Sequence, residues 1–336
     1  MTGPLLDVRD LRVHFPTPDG IVKAVDGVSF SLEAGERLGV VGESGSGKSV
    51  TFLTVMGLIT RKHAVIEGEI IFRGRNLLEV SVDEMREVRG RGIAMIFQDP
   101  MSSLHPFYRV GWQIAEAILA HEDVPKAQAR ARAVEMLRDV GISEPEDRAR
   151  QYPHEFSGGM RQRAMIAMGL VLGPGVLIAD EPTTALDVTV QAQILDLIDR
   201  LRGEFGTAIV MITHDLGVVA EHADRVQVMY AGKIVESGIR DDIYYASHHP
   251  YTWGLLQSIS RLDDKRARLR PIEGSPPSLI FVPPGCAFHP RCPYRFEGCD
   301  REMPPLVEEE AGHSSACLLP MEDKKRVFRE EVARRA

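Results

Sequence analysis

Residues Gly42-Glu43-Ser44-Gly45-Ser46-Gly47-Lys48-Ser49 follow the pattern G-x-x-x-x-G-K-[ST] of a phosphate-binding loop. Nothing else in the chain constrains its fold as much, because such a loop works only between a buried strand and a helix. The apolar run Arg37-Leu38-Gly39-Val40-Val41 supplies the strand, and a helix is expected from about Lys48 to Leu58. Gly42, Gly45 and Gly47, interleaved with Ser44 and Ser46, let successive backbone N–H groups converge on phosphate oxygens. Lys48 can reach the β- and γ-phosphates, Ser49 can ligate Mg²⁺, and the positive end of the helix faces the same anion. The ligand class is therefore a nucleoside triphosphate.

Bulk properties exclude several alternatives. The 336 residues suffice for one large core with smaller lobes. A formal charge of −8 shows no basic excess, which argues against a nucleic-acid partner. No basic segment followed by a long apolar one opens the chain, so no signal peptide is expected. The most apolar stretch, Ala164 to Ala179, is interrupted by Gly173-Pro174-Gly175 and is too short to span a bilayer. It reads as a buried helix, a turn and a buried strand. The expected location is cytoplasmic, with any membrane role exercised through a partner.

Alternating apolar residues from Leu5 to Phe30 and from Ile66 to Phe72 predict antiparallel strands. Ile93–Phe97, Val176–Ala179 and Ala208–Ile212 read as short buried strands, and Ala185–Arg202 as a helix between the last two. Such alternation implies an α/β fold with a mostly parallel sheet. Helical spacing from Tyr108 to Asp139 places a helical lobe between Gln98 and Arg163. Residues 271 to 305 are rich in Pro, Gly and Cys and form a loop-heavy appendix, and the charged tail after Glu322 is expected to be a solvated helix. The division that results is 1–98 with 164–240 as the nucleotide-binding core, 99–163 as the helical subdomain and 241–336 as the C-terminal extension.

A strand ending in two acids, Val176-Leu177-Ile178-Ala179-Asp180-Glu181, completes the phosphate loop. A rigid strand end lets Asp180 position Mg²⁺, and Glu181 beside it can act as general base on the attacking water. Two acids at a strand end are ordinary on their own. Following a phosphate loop by about 130 residues, they are not.

Phe156-Ser157-Gly158-Gly159-Met160-Arg161-Gln162-Arg163 resembles the LSGGQ-x-x-R signature of ABC-transporter ATPases, departing from it at the first and fifth positions. Its Ser-Gly-Gly core presents a hydroxyl and amides to phosphate at a helix N-terminus. Further motifs follow the family order. Gln98 matches the Q-loop, Ala185-Leu186-Asp187 the D-loop and His214 the switch histidine, and Phe15 stands where an aromatic stacks on adenine. The resemblance covers Leu5 to Gly238. It implies a P-loop ABC ATPase: a RecA-like parallel-sheet core, an antiparallel β subdomain and an inserted helical subdomain. It implies ATP and Mg²⁺ as ligands, with Ser49, Gln98 and Asp180 around the metal. It also implies a second ATPase subunit, so that Ser157, Gly158 and Gly159 act on the neighbour's nucleotide and Asp187 faces the partner.

Two stretches narrow the resemblance. Gln98-Asp99-Pro100-Met101-Ser102-Ser103-Leu104-His105-Pro106 and His248-His249-Pro250-Tyr251-Thr252-Trp253 are similar to oligopeptide/dipeptide importer ATPases, although that group more often has Asn where His105 stands. Cys286, Cys292, Cys299 and Cys317 are separated by five, six and seventeen residues, without the C-x-x-C of a zinc ribbon. Four thiolates clustered in a Pro-rich segment suit a [4Fe–4S] cluster or a Cys₄ zinc site, and the resemblance favours [4Fe–4S]. The implied assembly is a peptide importer. This chain would lie peripherally on the cytoplasmic face of the plasma membrane, against two integral-membrane permease subunits fed by an extracytoplasmic substrate-binding protein. Importers of nickel or other small solutes, soluble ABC ATPases of DNA repair or translation, and exporter cassettes are the competing expectations. The ligand itself is not written in this chain.

Overall fold

The computed structural model describes residues 3–99, 103–184, 186–258 and 271–333. The strands are β1 (Leu6–Thr17), β2 (Gly20–Leu32), β3 (Arg37–Val41), β4 (Val65–Phe72), β5 (Arg75–Asn76), β6 (Ile93–Ile96), β7 (Val176–Asp180), β8 (Ala208–Thr213), β9 (Arg225–Tyr230), β10 (Lys233–Ile239), β11 (Val307–Glu310) and β12 (His313–Ser315). The α-helices are α1 (Lys48–Val55), α2 (Val82–Val88), α3 (Val110–Leu119), α4 (Lys126–Asp139), α5 (Pro145–Arg148), α6 (Gly158–Leu170), α7 (Val188–Phe205), α8 (Leu216–His222), α9 (Arg240–Tyr245), α10 (Pro250–Gln257) and α11 (Met321–Val327). None among the described residues is long and apolar enough to cross a membrane.

The chain divides into two compact units, and β8 carries it from the first into the second. The first comprises residues 1–5, 32–36 and 79–210. Here β6 and β7 pair in parallel, from Ile93↔Val176 to Ile96↔Ala179, with every residue of both strands buried. Strands buried on both faces read as continuous apolar runs, which is why they were visible in the sequence. The helical stretch proves to be two helices, α3 and α4, because the chain turns between them and Pro125 sits at the α4 N-cap. Ile114 and Ile118 of α3, Ala133 and Leu137 of α4, and Ala164 and Met165 of α6 are buried. Ser157 caps α6 and Asp187 caps α7, each side chain accepting a backbone N–H three residues on.

The second unit comprises residues 6–31, 37–78 and 211–336. One sheet has the order β2-β1-β4-β5, with β1 and β4 antiparallel from Leu6↔Phe72 to His14↔Val65. A second runs β11-β12-β10-β9-β3, parallel between β3 and β9 and antiparallel elsewhere.

The C-terminal residues belong to this unit's core. Tyr251, Trp253, Phe288, Val327, Phe328 and Val332 share one apolar cluster with Val41, Val226 and Val228. The tail after Glu322 is therefore not a solvated helix. α11 and the π-helical turn Phe328–Val332 bury their apolar residues there. Lys324 is fully buried as well, paired with Glu309 and donating to the Cys317 carbonyl at 3.1 Å. The other charged residues of the run, Glu322, Asp323, Lys325 and Arg326, are exposed or half-buried on the remaining faces of the helix.

Candidate functional site

In the second unit the phosphate loop joins β3 to α1. Gly42 (φ +155°) and Gly47 (φ +101°, the α1 N-cap) adopt backbone conformations that L side chains rarely take. A Cβ on Gly42 would lie 2.2 Å from the Met229 carbonyl oxygen, and one on Gly47 would lie 2.3 Å from that of Ala24. The Lys48 ammonium is buried over the loop. It donates to the carbonyls of Gly42 (2.7 Å) and Glu43 (2.9 Å) and to Ser46 Oγ (3.4 Å). Ser44 and Gly45 are exposed at the tip, and Ser49 is half-buried one residue into the helix. His214 is exposed immediately after β8, where Asp215 caps α8 by accepting the Gly217 N–H. Phe15 is half-buried on β1.

In the first unit Asp180 ends β7 at 7% exposure and Glu181 follows it. Glu181 has φ +44°, a left-handed conformation that is uncommon for a residue with a side chain and is concentrated at functional sites. Its Oε2 accepts two hydrogen bonds, from Gln98 Nε2 (2.8 Å) and Thr184 Oγ1 (2.9 Å). The predicted Gln98 and Glu181 are thus in direct contact, and Thr184 joins them. Ser157 and Gly158 are exposed at the α6 N-terminus, with Gly159 half-buried behind them. Phe156 stands where the signature has Leu and is buried, so an apolar anchor is kept at that position. Asp187 Oδ1 accepts the Val190 N–H at 2.9 Å. Pro100, Met101 and Ser102 of the Q-loop stretch and Ala185 of the D-loop lie outside the described residues.

An exposed aromatic patch follows the Q-loop. Tyr108 stacks on Trp112 with centroids 4.4 Å apart and lies 4.6 Å from His105. Phe107 beside them is 82% exposed. Phe107, Tyr108 and Trp112, with Arg109, Arg130 and Tyr152, line a groove of about 710 Å³.

Cys286, Cys292, Cys299 and Cys317 line one largely apolar pocket together with His249, Phe288 and His289. No cystine joins them. Burial raises the thiol pKa values of Cys286, Cys292 and Cys317, that of Cys292 to about 12 and that of Cys317 to about 11, so these three bare thiols stay protonated at neutral pH. A single tetrahedral zinc with Zn–S near 2.3 Å would draw its sulfurs to within about 4 Å of each other. Among the described residues no three cysteine sulfurs lie within 4.8 Å of one another.

Sequence reasoning missed a second buried cluster. Glu236, His248 and His313 meet within 4.8 Å, a spacing that would suit a metal. The Glu236 carboxylate is already engaged. Oε1 accepts from the His248 N–H and faces His313 Nε2 at 2.8 Å, and Oε2 accepts from the His249 N–H at 3.1 Å. His248 and His313 stack ring on ring, 4.0 Å apart, so their in-plane nitrogens do not converge on one point. Glu236 is a structural hub for the turn that starts α10. The run His248-His249-Pro250-Tyr251 was the available signal, and its partner on β10 had none.

Comparison with known proteins agrees with this arrangement. Residues 25–184 match the ABC transporter family, and residues 235–299 match the oligopeptide/dipeptide transporter C-terminal region. Over 315 residues the chain is 55% identical to a probable peptide ABC transporter ATP-binding protein of Sinorhizobium fredii, covering 93% of this chain and 94% of that one. It is 52% identical over 319 residues to the oligopeptide transport ATP-binding protein OppD of Salmonella typhimurium, covering 95% of each. The chain belongs to the ATP-binding proteins of the oligopeptide/dipeptide ABC transporters. The fold agrees: a dimeric ATP-binding cassette in a post-hydrolysis state with ADP and Pi superposes with TM-score 0.63 at 25% identity, covering 70% of this chain and 98% of that one. Membership accounts for the pairing of an ABC ATPase core with a cysteine-bearing C-terminal region in one chain.

Proposed function

We propose that this ABC ATPase subunit energises import of di- and oligopeptides through two integral-membrane permease subunits, on the cytoplasmic face of the plasma membrane. The carrying observation is that similarity to peptide-transport ATP-binding proteins runs the length of the chain, C-terminal region included. The loop amides and Lys48 hold the β- and γ-phosphates, and Ser49, Asp180 and Gln98 order Mg²⁺. Phe15 stacks on adenine. Glu181 takes a proton from the attacking water, its carboxylate oriented by Gln98 and Thr184, and His214 contacts the γ-phosphate. Products are ADP and phosphate. Ser157, Gly158 and Gly159 serve the nucleotide of a second ATPase subunit, and Asp187 lies against that subunit. ATP binding closes the pair and hydrolysis reopens it, which drives the permease.

The helical subdomain at 99–163 docks the permease, and the exposed patch of Phe107, Tyr108 and Trp112 is its contact surface. An extracytoplasmic binding protein delivers the peptide and sets its identity. The four cysteines hold a [4Fe–4S] cluster, a reading supported by the one pocket that all four line. Such a centre would cross-link the loops of residues 271–320.

Two measurements test this reading. ATP turnover of the chain assembled with its permeases should rise on adding peptide-loaded binding protein and vanish with Lys48→Ala; turnover indifferent to the permeases would contradict it. The chain purified without oxygen should be brown, with about four irons and four sulfides. One zinc, or no metal, would remove the cluster from the account.

A further inference from the structure

Glu43, the second residue of the phosphate loop, has no part in the chemistry above, yet it is gripped from the C-terminal extension by both its backbone and its side chain. Its N–H donates to Tyr251 Oη at 2.8 Å. Its carboxylate meets the Arg291 guanidinium fork to fork, Nη1–Oε2 2.6 Å and Nη2–Oε1 3.0 Å. A bidentate pair fixes orientation as well as distance. The Arg291 side chain is 5% exposed, and its remaining donors are also engaged. Nη1 reaches Tyr230 Oη (3.3 Å), Nη2 the Ile272 carbonyl (3.4 Å) and Nε the Glu273 carbonyl (2.9 Å). Tyr230 and Phe288 lie against the guanidinium, each 5.9 Å from its centre. An arginine held by all five N–H groups and two rings has essentially one position.

On the far side of Glu43, its carbonyl accepts from Lys48 Nζ at 2.9 Å. Arg291, Glu43 and Lys48 therefore form one chain of contacts. Arg291 also closes the 3₁₀ turn His289–Arg291, immediately before Cys292, and the His289 ring meets the Cys286 carbonyl at 2.9 Å. The same short segment that carries two of the four cysteines thus contacts the second residue of the phosphate loop directly.

We propose that Arg291 and Tyr251 are positioning residues for ATP binding. They fix Glu43, and through its carbonyl the Lys48 ammonium, so that affinity for the triphosphate depends on the folding of the cysteine segment. This rests on the nucleotide-site reading above, and a control separates the two. The assay is binding of a fluorescent ATP analogue with Mg²⁺ to the full chain, alongside its thermal unfolding temperature. Lys48→Ala should abolish binding; if it does not, the nucleotide-site reading fails and not the clamp.

Arg291→Ala should weaken binding about tenfold, Glu43→Gln by a similar factor, and the double variant by no more than the worse single, because both remove one contact. Arg291→Lys keeps the charge but not the fork and should recover less than half of the loss on a logarithmic scale. Tyr251→Phe, which removes only the acceptor of the Glu43 N–H, should weaken binding about threefold. Cys292→Ser should weaken binding in the native chain and add nothing to Arg291→Ala. Affinity of Arg291→Ala within twofold of native overturns the proposal. So do losses in Arg291→Ala and Glu43→Gln that multiply in the double variant, and full recovery by Arg291→Lys.

Discussion

Replacing Glu236 by Gln tests whether the histidine-rich turn before α10 is held by a buried charge. Glu236 is fully buried, and its two oxygens accept the backbone N–H groups of His248 and His249 while Oε1 also meets His313. Glutamine has the same shape but offers one accepting oxygen. Whichever way the amide turns, its NH₂ opposes one backbone N–H and leaves that buried donor without an acceptor, at a cost of about 1–3 kcal/mol. The surviving bonds lose their charge assistance, which contributes about as much again. A net loss of about 3 kcal/mol corresponds to a fall in Tm of roughly 4 °C for a chain of this size.

The pH dependence has a definite sign. Burial opposes ionisation of Glu236, but the hydrogen bond and charge of His313 outweigh it and hold the pKa below the ordinary 4.5. A carboxylate with a depressed folded pKa contributes stability that is complete above its unfolded pKa and is lost as pH falls through the folded value. Differential scanning fluorimetry of both proteins across pH should therefore show a constant gap above about pH 5 that closes only in acid. A Tm unchanged within a degree would refute the hub. A gap that closes between pH 8 and 6 would transfer the effect to the histidines.

Other expectations follow from single contacts. Glu181→Gln should retain ATP binding and lower turnover by about 10²–10⁴, trapping a closed dimer visible by gel filtration; near-normal turnover would remove Glu181 as the base. Ser157→Arg should abolish hydrolysis in a homodimer. In a heterodimer it should damage only the partner's site, so a loss confined to this chain's own nucleotide would contradict action across the interface. Phe328→Ala should cost about 3–5 kcal/mol in chemical denaturation, because its ring is buried in the shared core; a solvated tail would show almost no change.

What was legible in the sequence was local or strongly patterned. The phosphate loop declares itself because its backbone needs glycine at fixed offsets, and β7 because a doubly buried strand is apolar throughout. Asp180 and Glu181 were readable from their place at that strand's end, although the left-handed backbone of Glu181 and the Thr184 contact were not. The tail was misread because Glu322 to Arg326 are five consecutive charged residues, while the burial of Val327, Phe328 and Val332 depends on a core built far away in sequence. The Arg291–Glu43 fork spans 248 positions and joins two residue types common on any surface. No local periodicity could reveal it, and only the fold brings the two together.

The central claim is ATP-driven inward transport of peptides. Its most direct test is to assemble the chain with its permease subunits and second ATPase subunit in lipid vesicles. ATP is supplied on the face that carries this chain, and a radiolabelled dipeptide with its binding protein on the other. Labelled peptide should cross toward the ATP side against its gradient, with none moved by the Lys48→Ala assembly. Transport of nickel but not peptide, movement of peptide away from the ATP side, or uptake unaffected by Lys48→Ala would contradict the account.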